Sequence, residues 1–393
     1  MERSIAAAPS ASYRFGIVGT GAMGLEHIRN IALLRDTCAV VAVADADANA
    51  RAEARLALDA AGFPGAEVHE SWRSLLASAD VDAVIICLPN FQHVEILRVL
   101  LPMDKHDVLC EKPLCTTAAD CLEVEAMLRA RKSQKLFMVG MEYRWMPPIA
   151  KLIETVDSGS LGSTRMVTVR EHRFPFLQKV GHWNRFNKFT GGTLVEKACH
   201  FFDLMRRLAN DDPVSVYAAG GGGVNHSGEE YADGNVDILD FALCVVTFAS
   251  GVVASLDLCM FAEDEQTERV SVVGDRGKAA AKCPEATVRV LHRNSLAPGR
   301  QPPLDEDRAK AVVHHVPVAA ALKAAGYHEG ATFFELEAFV KAAMQPGAQP
   351  PVSARDGTLA VAMGQAAHLS LSEKRVVLVS EVLPGLLPPV RRN

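Results

Sequence analysis

One hexapeptide limits what this chain can fold into more than any other feature: Gly19-Thr20-Gly21-Ala22-Met23-Gly24. It directly follows an apolar run, Arg14–Gly19, and opens Ala22–Leu34, whose apolar residues fall at helical spacing. A lone glycine triplet of this kind is weak evidence, because glycines often only close a turn. Between a strand and a helix it has a mechanism. Gly19 permits the tight turn, Gly21 lets backbone approach a pyrophosphate, and Gly24 allows close strand–helix packing. The helix start at Ala22 and Met23 then offers free N–H groups and a positive dipole end to the phosphates. The next apolar run, Ala39–Asp45, ends in an acid 21 residues after Gly24. A carboxylate there can accept hydrogen bonds from ribose hydroxyls and repels a 2′-phosphate. Ala46 and Asp47 follow it rather than Arg or Ser, so the expected cofactor is NAD in preference to NADP. The competing reading, in which Asp45 merely caps the next helix, leaves the glycine pattern unexplained.

The surrounding texture agrees. Ala83–Leu88, Val108–Cys110 and Leu136–Gly140 are continuous apolar runs, as expected of parallel strands covered on both faces. Helical segments are expected at Ala48–Ala61, Val94–Leu101 and Ala118–Arg131, the last capped by Thr117 with Asp120. Residues 13–140 are therefore expected to form an α/β, doubly wound parallel sheet of Rossmann type.

Residues 141–393 read as a second, substrate-binding and oligomerisation domain. Pro147-Pro148 opens a helix ending near Val156, and Arg165–Arg173 alternates apolar and polar residues. Further strands are expected at Val214–Ala219, Asp240–Phe248, Val252–Met260, Arg269–Gly274, Thr287–His292 and Ala311–Val318. Turns rather than long helices separate them, which predicts a large, mainly antiparallel open sheet. Helices at Leu194–Leu208, Thr332–Met344 and Arg355–Leu369 would cover one face, and the last of them can pack back on the first domain. Gly220–Gly223 and Pro298–Pro303 read as loops, and residues 1–12 as a disordered arm.

Bulk properties narrow the function. A length of 393 residues suits two domains, and a net charge of −6 argues against a nucleic-acid surface. No run of 18 apolar residues suggests a membrane span, and Met1–Ser12 lacks the apolar stretch of a secretory signal. Nine cysteines with no Cys-x-x-Cys fit reduced, buried thiols in a cytoplasmic protein. No metal is expected: His226 and His314-His315 lack ligand partners, and Cys110, Cys115 and Cys121 do not make a zinc knuckle.

Two clusters carry chemistry. Cys110-Glu111-Lys112-Pro113-Leu114 ends a short strand, which aims Lys112 into the crevice at the sheet's carboxyl edge. In Gly191-Gly192-Thr193-Leu194-Val195-Glu196-Lys197-Ala198-Cys199-His200-Phe201-Phe202-Asp203-Leu204, a helix would put Glu196, His200 and Asp203 on one face. A carboxylate beside an imidazole can orient it and raise its basicity, which suits proton abstraction from an alcohol. A structural lysine and a core histidine are the plain alternatives.

Together these pieces resemble the Gfo/Idh/MocA family, glucose–fructose oxidoreductase and inositol 2-dehydrogenase among them, over nearly the whole chain. The resemblance rests on the glycine loop, Leu88-Pro89-Asn90-x-x-His93, Glu111-Lys112-Pro113, Val139-Gly140 leading to Tyr143-Arg144, Gly191–Leu204, and Tyr327-His328-Glu329-Gly330-Ala331-Thr332. It implies an NAD-dependent hydride transfer at a secondary or anomeric carbinol of a sugar or cyclitol, and a homodimer or homotetramer held through the open sheet. It also implies a cis Lys112–Pro113 bond, with Lys112 polarising the reacting oxygen and His200, with Glu196, as general base. Leu88, Pro89, Asn90, His93, Glu111 and Lys112 join the glycine loop and Asp45 at the cofactor. Glu196 stands where the family commonly has Asp, a departure that changes the reach of the pair. Tyr143, His172, Lys179, Trp183, Asn184, Arg185 and Tyr327 are candidate substrate contacts beside Lys112 and His200. A donor-rich loop with one indole suits a polyhydroxylated ring, although a loop that covers the sheet or meets a neighbouring subunit has the same composition. Two other functions keep the same fold: redox-assisted elimination or glycoside cleavage with retained NAD, and a non-catalytic NAD or sugar sensor.

Overall fold

The computed structural model describes residues 13–78, 80–262, 267–293 and 311–385. The expected arm 1–12 and the Pro298–Pro303 loop lie outside these residues. Six strands, β1 (Tyr13–Val18), β2 (Cys38–Ala44), β3 (Glu67–His69), β4 (Ala83–Ile86), β5 (Asp107–Glu111) and β6 (Phe137–Gly140), form a parallel sheet. Their order is β3-β2-β1-β4-β5-β6. The order reverses between β1 and β4, which opens a crevice at the strands' carboxyl ends. Helices α1 (Ala22–Leu33), α2 (Ala48–Ala61), α3 (Trp72–Ser78), α4 (His93–Met103) and α5 (Ala118–Ala130) cover both faces. Phe15, Ile17, Ile85 and Ile86 are accordingly all without solvent contact. Thr117 caps α5, accepting from Asp120 N–H at 3.1 Å, as the sequence indicated. β3 and α3 have no counterpart in the sequence reading. β3 is a three-residue edge strand of mixed polarity, too short to show a period.

The second half begins with α6 (Pro147–Asp157), whose prolines sit in the first turn where no N–H is needed. Then come β7 (Thr164–His172), three short helices α7 (Asn187–Thr190), α8 (Thr193–Glu196) and α9 (Cys199–Ala209), and β8 (Pro213–Gly221). A small hairpin, β9 (Glu230–Tyr231) and β10 (Gly234–Asn235), precedes β11 (Phe241–Phe248), β12 (Val253–Cys259), β13 (Thr267–Gly274), β14 (Gly277–Cys283), β15 (Thr287–His292) and β16 (Val312–His315). The chain closes through α10 (Ala320–Ala325), α11 (Ala331–Ala343), α12 (Ala354–Glu373), β17 (Val377–Leu378) and α13 (Val379–Val382).

Nine of these strands make one sheet, ordered β16-β15-β14-β13-β7-β12-β11-β8-β17, in which β7 and β12 run parallel and the other neighbours antiparallel. β14 went unseen because Gly-Lys-Ala-Ala-Ala-Lys-Cys holds no β-branched or aromatic residue. The helix expected over Leu194–Leu208 is two helices, α8 and α9, separated by a turn at Lys197-Ala198. Alternation divides the sheet's faces. Val167, Val169, Ala242, Cys244, Val246 and Leu256 point into the core, while Met166, Tyr217, Phe241, Leu243, Val245 and Val253 are exposed on the other side.

Of the last two long helices, α11 packs on α1, and α12 lies between α5 of the first half and β8 and α9 of the second. The Phe339 ring of α11 lies 6.1 Å from that of Phe15 on β1. Gln365 of α12 accepts from Ala118 N–H at 2.7 Å, and Val139 N–H donates to Val352 at 3.2 Å. Among the described residues no helix is long and apolar enough to cross a membrane. The nine cysteines are free and at least half-buried.

Candidate active site

At the β1–α1 junction, Gly19 adopts φ +89°, and a Cβ there would stand 2.5 Å from the Cys87 carbonyl oxygen. A Cβ on Gly24 would lie 2.1 Å from the Gly19 oxygen, so only glycine lets helix and loop meet. Gly21 faces open space, and no side chain caps the first turn of α1. Its N–H groups are thus free for an anion. Asp45 is half-buried at the end of β2. Its Oδ2 accepts from Thr20 N–H at 2.7 Å and its Oδ1 from Asp47 N–H at 2.9 Å. Asp47, not Asp45, caps α2. A carboxylate beside an uncapped helix start, with a glycine cradle that no Cβ would fit, suits a dinucleotide with a free ribose diol. Ala22 and Met23 line that helix start, and Leu88 and Pro89 lie half-buried beyond β4.

Three residues expected at the cofactor turn inward instead. His93 is wholly buried, with ring nitrogens 2.9 Å from Pro113 O and 2.9 Å from Leu88 O, so it joins two loops and offers no face to a ligand. Glu111 is buried against His27 at 2.7 Å. Asn90 is buried and donates to Thr190 O at 3.5 Å, tying the domains together.

The Lys112–Pro113 bond is cis, and Lys112 Nζ donates to the Glu196 carbonyl at 3.3 Å. Burial disfavours the Lys112 charge, but Cys199, Glu196, Glu142 and Glu111 around it outweigh that and hold it above its ordinary value. The Glu196 carboxyl is buried with Oε2 lacking a partner. Burial pushes its pKa up against the pull of Lys112, Lys179, Arg185 and Lys197. Lys179 is pushed down by burial, with Glu196 and Lys112 as its first charged neighbours.

His200 stacks on Tyr143 with ring centroids 4.0 Å apart and planes 11° from parallel. The one-face arrangement of Glu196, His200 and Asp203 does not give a carboxylate–imidazole pair. The turn at Lys197-Ala198 separates Glu196 from α9, and its buried carboxyl keeps Oε2 unpaired, with Lys112 and Lys179 the first charges that act on it. Asp203 is taken by Arg144, at 2.5 and 2.6 Å. The carboxylate facing the His200 ring is Glu142, whose Oε1 lies 3.8 Å from Nε2. The other ring nitrogen, Nδ1, is buried without a partner. Burial and then the charges of Lys112, Lys197, His328 and Arg173 press His200 well below its ordinary pKa, so its ring is neutral at pH 7.

Glu142 belongs to a buried cluster that no local spacing announced. Its Oε2 lies 3.3 Å from His328 Nδ1 and accepts from the Thr332 hydroxyl at 3.2 Å. Glu26 on α1 lies 3.0 Å from His328 and 2.7 Å from Thr332, while Glu335 on α11 is wholly buried with neither oxygen paired. Burial pushes Glu142 up to about 7, opposed by His328 and reinforced by Glu111 and Glu26. Burial works against His328, yet Glu142 and Glu26 hold it up at about 9. Burial, with Glu111, Glu142 and Glu26 nearby, drives Glu335 well above the carboxylate range. Ligand-type atoms gather at Glu26/Glu142/His328 and at His27/Cys87/Glu111, and a histidine–carboxylate contact already spans each group.

The expected substrate contacts divide. Tyr143 is buried behind His200, where its hydroxyl donates to Glu268 at 3.0 Å and accepts from Lys197 at 2.7 Å. Strand alternation turns Glu171 inward, 2.9 Å from Lys197 Nζ, and therefore turns His172 to the sheet's outer face beside Asp257. Asn184 and Arg185 hold their own loop, donating to Leu177 O at 2.8 Å and to Glu229 at 3.3 Å respectively. Tyr327 is 82 % exposed, and its neighbour His328 enters the cluster in its place. Trp183 is half-buried. Of the loop's cations, Lys179 and Arg185 both act on the Glu196 charge, and Lys179 also on Lys112.

Residues 13–141 match the sequence model described as the oxidoreductase family's NAD-binding Rossmann fold, and residues 153–379 that of its C-terminal alpha/beta domain. An inositol 2-dehydrogenase of Rhizobium meliloti is 30 % identical over 370 residues, covering 93 % of this chain and 99 % of that protein. A myo-inositol 2-dehydrogenase of Thermotoga maritima is 27 % identical over 376 residues, covering 94 % and 99 %. A levoglucosan dehydrogenase solved with NADH and levoglucosan shares the fold with a TM-score of 0.77 at 21 % identity, covering 93 % of this chain and 99 % of that one.

Proposed function

The chain belongs to the Gfo/Idh/MocA oxidoreductase family, and from that premise we propose that it oxidises a secondary or anomeric carbinol of a cyclitol or sugar with NAD. The names of the inositol dehydrogenase relatives support the substrate class, and Asp45 supports NAD over NADP. Bound NAD supplies the hydride acceptor. The glycine loop and α1 hold its pyrophosphate, and Asp45 its ribose hydroxyls. Lys112 hydrogen-bonds the reacting oxygen and favours its negative charge as the proton leaves. His200 takes that proton. Glu196 Oε2 and Lys179 meet neighbouring hydroxyls of the substrate. One observation carries the reading above others: a neutral histidine with a buried, vacant ring nitrogen lies near a charged lysine at the carboxyl edge of a dinucleotide fold.

The exposed apolar stripe on β7, β8, β11 and β12 is the face through which the chain forms a homodimer or homotetramer. The deciding experiment offers NAD or NADP with a panel of inositols, aldoses and anhydrosugars to wild type, Lys112→Ala and His200→Ala. Expected is NADH production from one substrate group, abolished in both variants with cofactor affinity nearly unchanged. Tight NAD binding without NADH accumulation would overturn it in favour of retained-cofactor cleavage or sensing.

A further inference from the structure

We propose that Glu142, and not Glu196, is the carboxyl group that orients His200, and that His328 holds Glu142 in the ionised state this requires. The inference rests on the reading of His200 as proton acceptor and deepens it. Tyr143 covers one face of the imidazole, so the ring's edges are what remain to be specified. One edge, at Nε2, faces Glu142 Oε1, while the other, at Nδ1, is buried and vacant. A neutral imidazole has a single N–H. At 3.8 Å Glu142 Oε1 stands beyond hydrogen-bond length, but its charge favours the tautomer with the hydrogen on Nε2, which leaves the Nδ1 lone pair for a substrate hydroxyl. In the proton step the alcohol O–H bond breaks and an Nδ1–H bond forms. The Nε2–H bond stays, and ionised Glu142 stabilises the resulting imidazolium. When product leaves, Nδ1 returns its proton to water and the starting tautomer is restored. Glu142 is thus a positioning residue; the substrate never touches it.

Whether Glu142 is ionised depends on what surrounds it on every side. Glu26 from α1, Glu111 from β5 and Glu335 from α11 oppose its charge, whereas Lys112, His328 and the Thr332 hydroxyl favour it. The His328 side chain is 24 % exposed, and its Nδ1 touches both Glu142 and Glu26. Removing its charge would leave Glu142 facing three carboxyl groups, and Glu142 would take up a proton and lose its hold on Nε2–H. Glu196, by contrast, lies beyond the turn at Lys197-Ala198, and burial raises its pKa against the opposing charges of Lys112 and Lys179.

The test compares Glu142→Gln, Glu142→Asp, Glu196→Gln and His328→Gln in the full chain. Glu142→Gln should lower kcat about ten- to a hundredfold with KM and NAD affinity within about threefold, and should flatten the acid limb of kcat/KM. Glu142→Asp should recover part of both, and His328→Gln should move the limb to higher pH. Glu196→Gln should act mainly on KM. Independently of turnover, ¹⁵N spectra of histidine-labelled protein, with His200→Gln to assign the signal, should show Nε2–H in wild type and a mixed tautomer in Glu142→Gln. An unchanged rate and pH profile in Glu142→Gln, or an Nδ1–H tautomer in wild type, overturns the proposal. If the tautomer result holds but no polyol reduces NAD, the reaction assignment fails and the pairing of Glu142 with His200 stands.

Discussion

Replacing Asp45 by Asn separates charge from shape at the cofactor end. The amide oxygen can still accept from Thr20 N–H, now 2.7 Å from Oδ2, while the amide NH2 replaces the oxygen that Asp47 N–H now meets at 2.9 Å, so the loop keeps one of its two braces. What disappears is the negative charge beside the ribose. A hydrogen bond to a charged acceptor contributes roughly 1.5–3 kcal/mol and a neutral one roughly 0.5–1.5, so NAD should lose about 1–2 kcal/mol, or about five- to thirtyfold in Kd. A 2′-phosphate charge about 4 Å from the carboxylate costs about 4 kcal/mol at an effective dielectric of 20, and solvent at this half-buried site reduces that to about 2. NADP should therefore gain about thirtyfold. The two effects together move the ratio of NAD to NADP affinity by about a hundredfold to a thousandfold. Isothermal titration of both cofactors measures it, with melting temperature as the control for the loop. A ratio that moves less than threefold while the fold is intact would refute the assignment of Asp45 to the ribose.

Three other expectations follow from the geometry. Asp203→Ala leaves the buried Arg144 with Asp356 as its remaining carboxylate, and should cost about 3 kcal/mol by urea denaturation, at the low end for a broken buried pair; a change under 1 kcal/mol would mean Asp356 carries the pair. His328 is held at about 9 against 6.5 when free, so the stability it contributes is complete below pH 6.5 and is lost as pH rises through 9. Melting curves should show wild type losing more stability than His328→Gln between pH 6.5 and 9, and parallel curves would count against the cluster. Leu243→Arg, on the exposed sheet face, should lower the mass seen by light scattering while leaving the monomer folded; an unchanged mass would place any oligomer contact elsewhere.

The dinucleotide half was legible because its strands are buried on both faces and its turns are chemically marked: Gly19, Gly24, Asp47 and Thr117 each do a job that few residues can. The open sheet was harder. β14 lacks the residues that announce a strand, and at Glu171-His172 two adjacent polar side chains hide which parity faces the core. Glu196 to His200 is a helical sequence by composition, and the turn at Lys197-Ala198 arises from tertiary demand, since Lys197 is drawn to Glu171 and Tyr143. Glu26, Glu142 and His328 come from three distant stretches, and no local period could bring them together. A clue existed in Glu26 and Glu335, carboxyl groups at core-facing positions of helices whose neighbouring turns supply Ile28, Ile31, Leu336 and Phe339.

The return of α11 and α12 onto the first sheet constrains how the chain can be made. Phe15, Ala118 and Val139 find their partners at Phe339, Gln365 and Val352. During synthesis, the nucleotide half emerges more than 200 residues before α12 begins at Ala354, counted from Gly140. At about 5–20 residues per second that interval is roughly 10–40 s, during which α1 and α5 lack the helices that pack on them. The cofactor domain leaves the ribosome before the helices that complete it, so an excised 13–140 fragment should be sticky and a truncation that removes α11 and α12 should damage NAD binding from a distance.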